Sequence, residues 1–318
     1  MRVSLIVAAE GDLFDSKRQN PFASIAAQTY PHDDIELIFV DAHANPSITA
    51  AVAAFRMQNP ALSTSLLHSV STARAVGYNM AAARANGELL ILLADDFEPW
   101  PDLVVAHAAY HALNPDPNAV GIGPGLFPDV IRRDFFARWQ EDSGQLFGVP
   151  MRGALAVWPR TFFYGGNASI KKSKFDALGG FDERFRYHAW DDYEFGIRWA
   201  ASGGYSQFLA AAVATHQHTV SLEERCASME QSGESAWLLQ RLQPRVQHSW
   251  HAMLQPPPRV RRPVPGKDAP PHAWIGFYTE QLEAAFRRGY RSAIANDAPP
   301  QLPHAIDSTP DTVIEGGS

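Results

Sequence analysis

Two acidic clusters and a pair of histidines are the groups of this chain best suited to chemistry. Asp95 and Asp96 end the apolar run 89–93, and Asp191, Asp192 and Glu194 stand at the head of a helical pattern. His216 and His218 flank Gln217 after a further apolar stretch. Carboxylates delivered by a buried strand are costly unless something pairs or coordinates them. Hard oxygen ligands suit Mg2+ or Mn2+, and an imidazole beside them biases the choice toward Mn2+. A cation held there can neutralise a departing diphosphate, while a second carboxylate takes the proton of an incoming hydroxyl. Asp95 and Asp96 are the carboxylates that could hold it. His216 and His218 alternate along a strand and face one side, so either could complete the set. Asp192 is the expected base, with Asp191 as the alternative, and both also suit the first turn of a helix. Taken together, the groups point toward glycosyl transfer.

The elements that position these groups read as α/β. Unalternating apolar runs over 3–9, 35–40 and 89–93, with a shorter one over 66–70, predict buried parallel strands. Helical patterns over 20–28 (Asn20 as cap), 47–59, 72–86 and 101–113 separate them. This β-α-β order implies right-handed crossovers and ligands beyond the carboxyl ends of the strands. Ala8, Glu10, Asp41, Asp95 and Asp96 would meet there. Further helices are expected over 135–151 (with a loop), 192–201 and 221–241, and a strand over 208–214. Gly121, Gly123 and Gly125 have GxGxG spacing with no helix following, which reads as strand and turn rather than a dinucleotide fingerprint. Gly166 would let backbone approach a donor sugar. Asn167 could bond that sugar or a turn, and Trp190 could stack on a ring or staple a helix.

The division expected is a catalytic unit over 1–242 (halves 1–118 and 119–242), a Pro/Arg-rich linker over 243–272, an amphipathic helix over 273–296 and a disordered tail over 297–318. Its arginines could meet an anionic membrane surface as a peripheral contact; packing on the catalytic unit or on a second copy in a homo-oligomer is the plainer use.

Composition removes several classes. The chain has 318 residues, 46% hydrophobic and 19% charged, with a net charge of −7. That balance argues against nucleic acid as a partner. Cys226 is the lone cysteine, so there is no intrachain disulfide and no Cys-rich metal site. No apolar run is long enough to span a bilayer, and the start MRVSLIVAAEGD reads as a first strand, so a cytoplasmic protein is expected.

Several of these segments resemble family 2 glycosyltransferases, over roughly residues 1–240. VSLIVAAEG resembles the family's opening strand, with Ala8-Ala9 in place of the usual Pro-Thr. Asp41 matches its acid near the nucleotide, and Tyr78-Asn79 with Ala85-Asn86-Gly87-Glu88 its element before the metal motif. LLADDFEP resembles the DXD segment, with Ala94 replacing the first acid and Asp96 at the metal position. GGNASIKKSKFDALGGFDERF and WDDYEFGIRW resemble the acceptor-side signature and the catalytic helix start. The resemblance implies a GT-A fold, a Rossmann-like mostly parallel sheet with flanking helices plus the C-terminal helical extension. It also implies a metal-dependent inverting transferase using Mn2+ or Mg2+. The donor would be a nucleotide sugar, UDP-linked by expectation, and the acceptor a hydroxyl on a saccharide, lipid or small metabolite. Asp192 takes the position of the base and Asp191 its neighbour. Glu10, Asp41, Asn79, Asp95, Gly166, Asn167 and Trp190 fall among donor-binding positions. Two other readings stand beside it. A nucleotidyltransferase needs a Gly-rich basic loop where this chain has AAEGDLFDSKR. A binding module derived from a transferase would retain the nucleotide without turnover.

Overall fold

The computed structural model describes residues 1–9, 21–152, 159–187, 189–246, 248–255 and 262–297. Glu10, Asn20, residues 256–261 of the linker and the tail from 298 onward lie outside the described residues.

Strands β1 (Val3–Ala9) and β2 (Ile35–Asp41) are buried along their whole length, which is why their apolar runs do not alternate. They join β3 (Ser63–His68), β4 (Leu89–Ala94), β6 (Ala119–Ile122), β8 (Asn167–Lys171) and β9 (Tyr205–Phe208) in a seven-stranded sheet ordered β3-β2-β1-β4-β8-β6-β9. All its pairings are parallel except those of β8. The register sets Ala9 beside Asp41 and Ala8 beside Ala94, so three strands end at one edge. A small second sheet, β5 (Phe97–Pro99), β10 (Ala214–His216) and β7 (Gly125–Leu126), sits in the order β5-β10-β7.

Helices α1 (Phe22–Ala26), α2 (Pro46–Gln58), α3 (Arg74–Arg84) and α4 (Leu103–Leu113) make the crossovers of the first half. α2 begins where the sequence provides for it, with the Asn45 side chain accepting from Ser47 N at 2.9 Å and Pro46 at the first position. At the opposite edge from the strand ends, Asn86 donates to the Glu36 carboxylate at 2.7 and 2.8 Å and Gly87 N to Ser4 Oγ at 2.9 Å. The Asn-Gly-Glu element thus locks β1 and β2 to the end of α3. The second half adds α5 (Asp129–Arg132), α6 (Phe135–Ser143), α7 (Lys172–Ala177) and α8 (Asp191–Ala201).

The strand expected over 208–214 is corrected. β9 ends at Phe208, the chain turns with Ala212 N bonded to Leu209 O at 2.9 Å, and β10 starts only at Ala214. No Gly, Pro or Asn marks that turn, and the break moves the chain from the large sheet to the small one.

Two buried histidines tie α4 to β8. His107 bonds Ser169 Oγ at 2.8 Å and Asn167 Oδ1 at 3.0 Å, and His111 Nε2 bonds Ser169 Oγ at 3.0 Å. Burial lowers both imidazoles from 6.5 to about 4. Because the folded pKa lies below the unfolded one, the unfolded chain takes up protons first as pH falls. Stability is therefore full above pH 6.5 and declines toward pH 4. Calorimetric melting across that window should show a falling Tm, with a shallower slope in His111→Gln.

The C-terminal layer is α9 (Leu222–Leu242) beside α10 (Pro271–Asp297). Ser221 caps α9 in a capping box with Glu224. Glu230 meets Arg288 at 2.9 Å and Arg241 meets Asp297, so the two helices run in the same direction. A parallel pair needs a return path of about 30 Å, the length of α9 at 1.5 Å per residue; the proline-rich connection supplies it. The crossing is close because a Cβ on Gly289 would overlap the Glu230 carbonyl, and one on Gly233 the Phe286 carbonyl. Gly289→Ala should force the helices apart and lower stability by about 1–3 kcal/mol, read from the urea midpoint. Phe136, Trp139, Met229, Trp250, Leu282 and Phe286 form the core of this layer. No helix among the described residues is long and apolar enough to cross a membrane.

Candidate active site

β4 delivers Asp95 and Asp96 into a turn, and β5 then pairs antiparallel with β10, setting His216 opposite Phe97. That pairing brings His216 Nε2 to 2.9 Å from Asp96 Oδ2, with His218 Nδ1 at 3.9 Å from the same oxygen. Strand alternation turns Gln217 the other way, where its amide donates to Glu98 at 2.6 Å. His216 is walled by Phe127, stacked at 4.8 Å and 16°, and by Phe97 and Phe147. Phe127 is held in turn by its N–H bond to the buried Glu141 carboxylate at 2.9 Å.

One carboxylate and two imidazoles, with donor atoms all within 4.8 Å of one another, fit a divalent cation. Two nitrogen ligands favour Mn2+ over Mg2+, which prefers an all-oxygen shell. Asp95 is buried in the same turn and does not belong to this group.

Across from it, α8 begins at Asp191. Asp191 is buried and held in a two-pronged pair by Arg74, at 2.7 Å from its NH2 and 3.2 Å from its Nε. Asp192 is more open, 18% exposed; its Oδ2 accepts from Gly165 N at 3.1 Å and lies 3.5 Å from Arg74. Gly166 O accepts from Ala94 N at 2.8 Å. The Gly165-Gly166 turn therefore bridges Asp192 to the strand that carries Asp96. Glu194 faces away and binds Arg198 at 2.8 and 2.9 Å; Arg198 also bonds the Leu178 and Gly180 carbonyls.

Trp190, just before α8, holds a left-handed backbone at φ 68°, rare for a bulky residue. Its indole N–H donates to Ser232 O at 2.9 Å and its ring meets Trp250 at 6.3 Å. It is therefore a strut to the C-terminal layer. That layer holds the strained start of α8 and so the register of Asp191 and Asp192.

Other expected positions take supporting parts. Asn167 is fully buried and its amide bonds Ala212 O (2.8 Å), Pro124 O (3.3 Å) and His107. Asn79 bonds Phe181 N and O at 2.8 and 2.9 Å and braces the Gly179-Gly180 turn. Asp41 accepts from His43 N at 2.9 Å and Asn45 N at 2.6 Å, shaping the loop after β2. Ala8 is buried beside Ala94 in the sheet. Arg74 was not foreseen, although a cation in the first turn of a helix opposes the helix dipole and so signals a partner elsewhere.

Solved structures of similar fold include a mannosyltransferase of Pyrobaculum calidifontis in complex with GDP-Man and Mn2+. It is 19% identical at a TM-score of 0.55, over 93% of this chain and 74% of that one. This chain shares the fold of that structure. Residues 1–349 of S. aureus TarS are also similar, at 12% identity and a TM-score of 0.51, over 80% of this chain and 69% of that one. In sequence, the O-antigen biosynthesis protein RfbC of Myxococcus xanthus is 32% identical over 142 residues, 39% of this chain. The match spans only 10% of that relative's length. No family model matches.

Proposed function

We propose that this chain is a metal-dependent, inverting glycosyltransferase of GT-A type and family 2 character. The observation that carries the reading is the convergence of Asp96, His216 and His218 at the strand ends, joined through the Gly165-Gly166 turn to the half-open carboxylate of Asp192. The fold it shares with a mannosyltransferase solved with GDP-Man and Mn2+ supports the same reading.

Asp96, His216 and His218 would hold a Mn2+ ion, whose charge offsets that developing on the leaving diphosphate. Asp192 accepts the proton of an acceptor hydroxyl as that oxygen attacks the anomeric carbon. Attack from the face opposite the diphosphate inverts the configuration. Arg74 fixes Asp191 and thereby the start of α8, so Asp192 is presented at one angle; the single bond from Gly165 leaves its second oxygen free for the hydroxyl. The donor is a nucleotide sugar of the UDP or GDP class, and the acceptor a hydroxyl on a saccharide, lipid or small metabolite.

The test is release of nucleoside diphosphate from a panel of UDP- and GDP-sugars, with Mn2+, with Mg2+ and with chelator. Mn2+-dependent release from one nucleotide class is expected. A folded protein that binds the nucleotide yet releases none, with any sugar hydroxyl offered as acceptor, would instead be a binding module.

A further inference from the structure

The hydroxyl of Tyr164 stands between the two halves of the site. Tyr164 precedes the Gly165-Gly166 turn that leads into β8. Its side chain folds back over that turn, so that a Cβ on Gly166 would overlap the phenol oxygen. The same turn gives its Gly165 N–H to Asp192 and its Gly166 carbonyl to Ala94, next to Asp95-Asp96. Asp96, Arg74 and Asp192 are accordingly the charged groups around the phenol. Phe147, 5.1 Å away ring to ring, packs on it and also on His216 at 5.7 Å.

Tyr164 is only 8% exposed, and its hydroxyl makes no hydrogen bond among the described residues. Tyr78, one layer deeper, shows the ordinary solution: its hydroxyl lies 3.2 Å from Leu93 O and 3.3 Å from Gly165 O. A hydroxyl that makes no bond within the described residues and still reaches solvent between the two carboxylates is available to a ligand. A phenol keeps its proton at neutral pH and so can act as a donor.

We propose that Tyr164 is a catalytic residue that donates a hydrogen bond to the diphosphate oxygen from which the sugar departs. The inference rests on the transferase reading above. If the diphosphate lies at Asp96 and the acceptor at Asp192, the breaking bond lies between them, where Tyr164 stands. The acceptor oxygen forms its bond to the anomeric carbon and gives its proton to Asp192. The bond from that carbon to the diphosphate breaks, and its electron pair goes to the leaving oxygen. Tyr164 keeps its own proton throughout; its bond strengthens as negative charge grows on that oxygen, so it favours the transition state over the bound donor.

The experiment compares wild type with Tyr164→Phe, which keeps the ring and its packing. Hydrolysis of the UDP- or GDP-sugar that wild type accepts is followed with Mn2+, alongside calorimetric binding of UDP and GDP. The expected result is a kcat lower by about 10²-fold, the loss seen when a single preorganised donor is removed, with donor KM and nucleotide affinity within about threefold of wild type. An unchanged kcat would overturn the inference while leaving the transferase reading intact, and so would a loss confined to KM or accompanied by a matching loss of thermal stability. A wild type that neither binds UDP or GDP nor releases them from any sugar would remove the transferase reading itself, and this inference with it.

Discussion

Asp192→Asn should lower turnover by about 10²–10⁴-fold while nucleotide affinity stays near that of wild type. The amide keeps the shape of the carboxylate and can still accept from Gly165 N, now at 3.1 Å. It cannot take a proton from an acceptor hydroxyl. The metal-binding group of Asp96, His216 and His218 is untouched, so binding and chemistry separate cleanly. Steady-state rates with calorimetric nucleotide affinity check this. A variant with wild-type turnover would move the base elsewhere. Asp191 is poorly suited to replace it, because its carboxylate is buried and both its oxygens are engaged by Arg74.

The second large effect concerns folding. Arg74→Ala takes the two-pronged partner away from a buried carboxylate, the pair being 4% and 1% exposed. Removing one partner of a buried pair costs about 3–5 kcal/mol. The urea midpoint should fall accordingly. Replacing both members, Arg74→Met with Asp191→Leu, should restore most of the stability because the buried carboxylate is removed together with its cation. The double variant should stay inactive, since Asp192 also leans on Arg74 at 3.5 Å. If the single variant were as stable as wild type, Arg74 would not be what fixes the start of α8.

These two residues also show where the sequence was legible and where it was not. The strands before Asp41 and Asp95 could be read directly, because strands covered on both faces leave unbroken apolar runs. The start of α8 at Asp191 was legible to within one residue from its acids, and the start of α9 at Leu222 from Ser221 and Glu224. What escaped was what depends on partners far apart in the chain. Asn79 and Asn167 sit in motifs that suggest ligand contact, and their amides bond backbone at Phe181 and Ala212. Arg74 lies 117 residues from its partner Asp191, a pairing that spacing cannot reveal. Trp190 left stacking and stapling equally open, and nothing in its spacing pointed to Ser232 of α9, which accepts from its indole. The turn at 209–212 carries no punctuating residue, so the strand before His216 could not be bounded. The histidine pair itself was legible as a candidate, but its meeting with Asp96 depends on the pairing of β5 with β10.

The central claim is that Asp96, with His216 and His218, holds a cation that binds a nucleoside diphosphate. Titration calorimetry of UDP and GDP, each with Mn2+ and with chelator, on wild type and Asp96→Ala, tests it most directly. The account predicts that one of the two nucleotides binds with Mn2+, and that binding is lost with chelator and in the variant. Nucleotide binding of equal strength with and without the metal, or unchanged in Asp96→Ala, would contradict it.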